Sequence, residues 1–540
     1  MPNGAQAMVN ALKAEGVRIL FGYPGAAICP FLDALAASDI VCRLVRHEQS
    51  AGHAASGYAR VSGVPGVCFA TSGPGATNLI TALATAYMDS IPLVAITGQV
   101  ASSLIGRDVF QEADITGAAE PFCKHSYLVR DAADLPRVMK EAFYIARTGR
   151  PGPVLVDVPS DIQEQPVASS AYPEKVDIRG YKPRRHGHAL QIKRVAKRIS
   201  EARKPVICAG GGIFSAHAQE ALAALAEKCR IPVVNTLMGN GSLPTAHPLN
   251  FGMLGTHGCA VANCAIHESD LLIIAGGRVG DRAMSEPGQI AARTCVVHID
   301  VDPAEIGKNM EAELPIVGDV RLVLEALAAQ TVPGDTAAWI DYLGNLRDEP
   351  VEQRPMHSGC IEPRAFFRTL SEQMADDAVI VADVGQSQIW AANACTIRQG
   401  RFLTTGGMGT MGYGLPAAVG VASALPNRQI IAVCGDGAFH MSMMELATMR
   451  QYHLPVKCIV MHNDCLGMVH EMQTKHYDGR YTATSLGCGN PDFQLIAKAY
   501  GMESRRLQND ADASEAIAEM LHAPGAYLLE CLIDPDEPTL

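Results

Sequence analysis

Residues 430–464 read IIAVCGDGAFHMSMMELATMRQYHLPVKCIVMHND. An apolar run, Ile430–Val433, leads into Gly435-Asp436-Gly437. A stretch rich in Ala, Met and Leu follows, then a second apolar run, Lys457–Met461, and then Asn463. Short apolar run, helix-forming segment and short apolar run spell a βαβ unit with parallel strands. Ligands of parallel sheets bind beyond the carboxyl ends of the strands, where both polar motifs fall. Glycines let backbone N–H groups approach a diphosphate, and a helix N-terminus adds favourable potential. A hard divalent cation bridging two phosphates takes oxygen ligands. Asp436 offers a carboxylate, Asn463 an amide oxygen and Cys465 a backbone carbonyl. The 27 residues from Asp436 to Asn463 suit strand, helix, strand with both ligands at one sheet edge. A tight turn is the other reading of Gly-Asp-Gly, and the spacing of Asn463 argues against it.

The same alternation continues outward. With 540 residues the chain is too long for one core and divides into three blocks. Block 1–170 has strands expected at Val67–Ala70, Leu93–Ile96 and Val154–Val158, with helices after Gly75 and from about Leu135. Block 188–330 has strands at Val206–Ala209, Leu271–Ala275 and Val296–Asp300. Block 356–540 adds Val379–Ala382, Ile430–Val433, Lys457–Met461 and Tyr527–Ile533. Polar, Pro-rich stretches at 163–187, 331–335 and 348–355 read as linkers. Fifty glycines and thirty-two prolines sit at the ends of apolar runs, the punctuation of an α/β protein.

A net charge of −12 disfavours nucleic acid or an anionic membrane as the main partner. The basic stretch Lys182-Pro183-Arg184-Arg185-His186 reads as a solvated linker more readily than as an anion site. Sixteen scattered cysteines, many inside apolar runs, read as buried thiols in a reducing compartment. Cys259 and Cys264 lack the spacing of a zinc site. No secretory signal and no apolar stretch of membrane-spanning length is visible, so the expected location is cytoplasmic.

The GDG-to-Asn stretch resembles the thiamine-diphosphate motif, in its form in acetolactate (acetohydroxyacid) synthase catalytic subunits. The resemblance covers nearly the whole chain: FGYPGAAICPFLDAL, RHEQSAGHAASGYAR, TSGPGATNLITALATAYMDSIPLVAITGQV, DVFQEADITG, RPGPVLVDVPSDIQ, DVGQSQIWAA, GGMGTMGYGLPAAVG and NPDFQLIAKAYG occur in order. It implies three doubly wound parallel-sheet domains: an aminopyrimidine-binding block 1–170, a Rossmann-like block 188–330 and a diphosphate- and Mg²⁺-binding block 356–540. It implies decarboxylation of pyruvate and its joining to a second 2-oxo acid, pyruvate or 2-oxobutyrate, in branched-chain amino acid biosynthesis. Glu48 falls on the glutamate that exchanges a proton with the cofactor's aminopyrimidine. Met411 falls on the bulky residue that bends the cofactor. Further cofactor contacts are implied at Gly25, Pro74, Asn78, Gly385, Gln386, Gly409, Gly435, Gly437, Ala438 and Met468. The family joins Glu48's domain of one subunit to Asp436's domain of another, which implies a homodimer or tetramer, and a small regulatory subunit is common in it.

Phe110, Gln111 and Lys124 match positions at the approach to the thiazolium, with Lys124 offering charge to carboxylates, and Arg282 matches an arginine near the acceptor substrate. Gly210-Gly211-Gly212 after a strand, Arg278 and Asp300 resemble elements of a dinucleotide site, implying FAD in a structural role. The chain also departs from the family. Met472 stands where tryptophan is usual, which puts acceptor preference in doubt. Thr256 replaces a methionine, Gly277–Arg282 lacks the Phe-Asp-Asp-Arg form, and Ser387 replaces a histidine. The family often continues past the position of Leu540 with an apolar tail, so a more open site or a different acceptor is expected. A decarboxylase or carboligase with another substrate is the alternative, and a non-catalytic cofactor-binding paralogue is a third reading. Glu48, Asp436 and Asn463 argue against the last. No GxGxxG opens a helix in the first block, which disfavours an NAD dehydrogenase.

Overall fold

The computed structural model describes residues 2–167, 171–347 and 359–540; the linker expected at 348–355 lies outside them. The first strands are β1 (Ile19–Gly22), β2 (Val41–Leu44), β3 (Gly66–Ala70), β4 (Leu93–Gln99), β5 (His125–Leu128) and β6 (Pro153–Pro159). The middle group comprises β7 (Pro205–Ala209), β8 (Val233–Asn235), β9 (Asn250–Met253), β10 (Leu271–Ala275), β11 (Cys295–Asp300) and β12 (Leu314–Val317). The last comprises β13 (Val379–Ala382), β14 (Arg401–Leu403), β15 (Ile430–Gly435), β16 (Lys457–His462), β17 (Glu503–Leu507) and β18 (Tyr527–Leu532).

Among the described residues these strands form three six-stranded sheets, ordered β2-β1-β3-β4-β6-β5, β12-β11-β10-β7-β8-β9 and β14-β13-β15-β16-β18-β17. Every pairing is parallel. All seven residues of β4 and all seven of β6 are buried, as a parallel sheet covered by helices on both faces requires. Each strand expected from sequence falls within one of these, the last ending at Leu532. The unforeseen ones are short or lie at sheet edges. β17, with the sequence ESRRL, carries charge because one edge and much of its length face solvent.

The first and third sheets share one strand order, a likeness that no sequence repeat discloses. The middle sheet has the dinucleotide-fold order, two further strands winding out on each side of the central pair β10 and β7. Strand order reverses between β1 and β3, between β7 and β10, and between β13 and β15. Each reversal opens a crevice at the carboxyl ends of the two strands.

The first and third sheets are fused through two small-residue helices, Glu48–Ser62 and Gly414–Ala424. Both are buried along most of their length, and their alanines join one apolar core with β3, β4, β13 and β15. A Cβ on Gly57 would collide with the Ala417 carbonyl, and one on Gly420 with the Ala54 carbonyl. The backbones therefore touch directly, in antiparallel register. No helix among the described residues is long and apolar enough to cross a membrane.

Adding one methyl at this contact forces the helices apart. Gly420→Ala is expected to cost about 1–3 kcal/mol, read as a lower thermal midpoint. Gly344→Ala, in a helix with open space around it, is expected to leave the midpoint unchanged or slightly raised.

Candidate active site

At the third sheet's reversal, β13 runs into Asp383–Gly385 and β15 into Gly435–Gly437. Gly385 has φ 147°, outside the range L side chains favour, and caps the helix Gln386–Ala394. Asp436 opens the short helix Asp436–His440, in which Gly437 and Ala438 are also buried, and is itself 1% exposed. Its Oδ1 accepts from the Gly437 amide at 2.9 Å; its Oδ2 accepts from the Asp464 amide and from Asn490 Nδ2, both at 2.9 Å. Burial raises its pKa above the ordinary carboxylate value, against the pull of Asn490 and His462. Such a carboxylate gains from a cation beside it.

His462, at the end of β16, lies between Glu530 Oε1 at 2.7 Å from Nδ1 and Asp464 Oδ1 at 2.8 Å from Nε2. Burial works against its charge, yet Glu530 and Asp464 push its pKa up to about 9. Asp436, His462 and Asp464 each bring a ligand atom within 4.8 Å of the others, a group able to hold a metal ion. Sequence reasoning missed His462, Asp464 and Asn490, although Asn490 opens the NPDF stretch. Asn463 donates through Nδ2 to Gln386 Oε1 at 3.2 Å, and its Oδ1 accepts from the Cys465 amide at 3.3 Å. Asp464 has φ 56°, so the chain turns sharply between Asn463 and Cys465. Gln386 also donates to the Glu537 carbonyl at 2.8 Å, and the buried Ser387 hydroxyl has no partner. Met411 reaches over Gly437, its Cε 3.7 Å from where a Cβ would stand.

The first sheet's reversal carries the equivalent crevice. Gly25, after β1, packs against Thr71, after β3, and the Thr71 hydroxyl is buried without a partner. His47 caps the helix Glu48–Ser62 by accepting from the Gln49 amide. Glu48 Oε2 accepts from Asn78 Nδ2 at 2.9 Å, and Oε1 faces Gly75 in the turn opened by Pro74. Gln111 rests on Gly73, and Phe110 beside it is 87% exposed.

Where the three blocks meet lies a cavity of about 860 Å³, lined from the first block by Met88, Asp89 and Arg150. Gly211, Gly212, Arg278, Asp300 and Arg282 line it from the middle block; Gly409 and Met468 line it from the third. Gly210 and Gly212 lie so close to Gly276 that a Cβ on either would collide with its backbone. Asp300 is raised to about 6 by burial. Met472, on the helix Gly467–His476 with Met468, is half exposed. Asp89 accepts from the Gly407 amide at 2.7 Å and holds the glycine loop 406–409 against the first block.

One expectation changes. Lys124 does not reach a crevice: its ammonium donates to the Ile145 and Thr148 carbonyls and to Tyr181 Oη at 3.0 Å, and burial lowers its pKa to about 8. Those acceptors occupy the group expected to serve carboxylates. The charged side chains of the basic stretch, Lys182, Arg184, Arg185 and His186, are exposed, and its backbone is anchored. Tyr181 is pinned by Lys124 and Thr148, the Arg185 carbonyl accepts from the Asp319 amide at 2.8 Å, and Pro183, Arg184 and Arg185 line the cavity.

Comparisons with known proteins agree with this architecture. Family models described as "Thiamine pyrophosphate enzyme" match in three parts: the N-terminal TPP binding domain over residues 2–118, the central domain over 192–327 and the C-terminal TPP binding domain over 383–531. A probable acetolactate synthase large subunit of Methanocaldococcus jannaschii is 45% identical, covering 99% of this chain and 92% of its own. An acetolactate synthase of Mycobacterium bovis is 47% identical over 95% of this chain and 85% of its own. One of Arthrospira platensis is 44% identical, with 99% and 94% covered.

Lys124→Met is expected to lower stability by about 1–3 kcal/mol, by leaving buried carbonyls unpaired, and to speed protease cleavage near Tyr181. A lysine that served substrate carboxylates would leave the thermal midpoint unmoved.

Proposed function

The chain belongs to the thiamine pyrophosphate enzymes, among the acetolactate synthase large subunits, and on that basis we propose how its own residues serve acetolactate synthesis. One pyruvate loses its carboxylate as carbon dioxide; the carbon left bonds to the carbonyl carbon of a second pyruvate, and the oxygen there takes a proton. Bound thiamine diphosphate supplies the electron sink for the carbon–carbon bond that breaks. The observation that carries the reading is the pair of equivalent crevices, one presenting Glu48 and the other Asp436.

The residues present fit that cofactor. Asp436, Asn463 and the Cys465 carbonyl offer oxygen ligands for Mg²⁺, with His462 and Asp464 close behind. Gly385, Gln386, the unpartnered Ser387 hydroxyl and Gly435–Ala438 suit the diphosphate. Gly25, the Thr71 hydroxyl, Pro74 and Asn78 suit a polar ring. Asn78 fixes one oxygen of Glu48 and leaves the other to exchange a proton with that ring. Met411 walls the diphosphate crevice beside Gly437. Gln111 and Phe110 meet the substrate from one side, Met468, Met472 and Arg282 from the other. The half-exposed Met472 thioether, where the family has tryptophan, leaves the choice between pyruvate and 2-oxobutyrate as acceptor to be read from the products.

The cavity suits FAD. Its glycine loop fits a dinucleotide, Arg150, Arg184, Arg185 and Arg278 offer cations to a diphosphate, and Asp300 suits a ribose hydroxyl. Acetolactate synthesis involves no net oxidation, so the flavin's place is structural.

One chain does not complete the site. Ala54 faces Gly420 and Gly57 faces Ala417, so the same register sets Arg60 level with Gly414; Arg60 indeed donates to Tyr413 Oη at 3.1 Å. Glu48 then lies roughly 18 Å along the helix axis from the end that carries Met411, at 1.5 Å per residue. A second copy has to present its Glu48 to this chain's Asp436, which makes the working unit at least a homodimer. The term large subunit in the relatives' names supports a smaller regulatory partner as well.

With pyruvate, thiamine diphosphate, Mg²⁺ and FAD, the expected product is acetolactate, and Glu48→Gln is expected to lose about 10²–10⁴-fold in kcat. Pyruvate left untouched by folded, cofactor-binding protein would overturn the reading. Mixing inactive Glu48→Gln and Asp436→Ala proteins is expected to restore up to roughly a quarter of wild-type activity, through mixed dimers with one intact site. No recovery after subunit exchange would refute the shared site.

A further inference from the structure

The segment that carries Phe110 and Gln111 is under unusual backbone constraint. Within six residues Gly106, Asp108 and Gln111 adopt φ of 82°, 52° and 58°. Only the first is a glycine; Asp108 and Gln111 hold a conformation L side chains seldom adopt, so something outside the backbone has to impose it. Two neighbours fix the ends. Gln99 Nε2 donates to the Ala113 carbonyl at 2.8 Å and to the buried Asp157 at 3.0 Å, which ties the loop's exit to β4 and β6. Gln111 lies on Gly73, where a Cβ would stand 2.8 Å from the Gln111 carbonyl. That places Gln111 on the same turn whose Asn78 holds Glu48.

The interior of the loop is held by one carboxylate. Glu112 folds back over the preceding turn: Oε1 accepts from the Gly106 amide and Oε2 from the Val109 amide at 3.1 Å. The Gly106 bond, helped by the Val109 bond and opposed by burial, keeps this carboxyl below its usual range. Each oxygen thus satisfies an amide that the left-handed turns would otherwise leave without an internal partner. Phe110 is too exposed for packing within the chain to hold it, so the turn that carries Phe110 and Gln111 is closed by the Glu112 amide, which donates to the Val109 carbonyl at 3.0 Å, and by the Glu112 carboxylate on the Gly106 and Val109 amides.

We propose that Glu112 is a positioning residue for substrate: by clasping the Gly106 and Val109 amides it holds Gln111 against the Gly73 turn, and so sets the affinity for the 2-oxo acid. The inference rests on the reading of the site as that of an acetolactate synthase. Glu112 touches neither cofactor nor substrate and acts through Gln111.

The variant to make is Glu112→Gln, which keeps shape and replaces one accepting oxygen with a donor facing an amide. KM for pyruvate is expected to rise by about tenfold or more, with thiamine diphosphate affinity and thermal midpoint near wild type. Combined with Gln111→Ala, the same change is expected to add less than about twofold, because the side chain it positions is already gone. Glu112→Asp, too short to reach both amides, is expected to behave like Glu112→Gln. A wild-type KM in Glu112→Gln, or full additivity with Gln111→Ala, would overturn the proposal. So would a lowered midpoint with unchanged KM. Hydrogen exchange separates this failure from that of the underlying reading. Faster exchange of the Gly106 and Val109 amides in Glu112→Gln is expected whatever the protein's activity, and unchanged exchange would remove the clasp itself.

Discussion

Direct backbone contact between the helices Glu48–Ser62 and Gly414–Ala424 is the constraint on which the rest depends. Helices packed through leucines keep their axes about 8–10 Å apart; glycine at 57 and 420, with alanines around them, removes the side chains that would set that distance. The first and third sheets thereby share one core although more than three hundred residues separate the two helices. The contact also fixes direction. Antiparallel packing sends the Glu48 end of one helix and the Gly414 end of the other to opposite sides, so the fold that unites the two blocks also keeps their reactive groups apart.

Strand order accounts for where those groups sit. At each reversal neighbouring connections leave on opposite faces of the sheet and open a crevice between two strand ends. The first crevice gathers Gly25, Thr71 and Glu48, the third gathers Gly385, Gln386 and Asp436, and the second is lined by the packed glycines 210, 212 and 276. One geometric rule, applied three times, places the Glu48 carboxylate, the buried Asp436 carboxylate and a glycine cradle.

Much of this was legible in the sequence because the relevant chemistry is local. Gly435-Asp436-Gly437 and Asn463 sit at the two ends of one βαβ unit, so spacing alone carries them to one edge. Asn78 and Glu48, by contrast, come from different units and were assigned through family resemblance. Lys124 escaped correct reading because nothing in its neighbours announces three acceptors at the end of the helix Leu135–Arg147; a lysine beside an aromatic looks alike whether its head is free or occupied. The same bond anchors the basic stretch, whose charged side chains are exposed. Composition marks Lys182–His186 as a linker, and it does connect two blocks, but Tyr181 and Arg185 are pinned at either end. His462 went unremarked because its partners Glu530 and Asp464 meet it from another strand and from a left-handed turn, neither visible in a window of sequence.

The large cavity and the third sheet's crevice are not separate structures. The glycine loop 406–409 forms a wall of the cavity and leads directly into Met411, which closes over Gly437. From the first block Asp89 holds this loop through the Gly407 amide, and the Thr85 hydroxyl lies 2.7 Å from that of Thr410. A Cβ on Gly407 would press into Met88, so the loop tolerates no bulk where the blocks meet. Three glycines in four residues have little conformational preference of their own. Their position comes from what touches them: the first block on one side and whatever fills the cavity on the other. Whatever orders this loop therefore also fixes Met411, which walls the crevice beside Gly437.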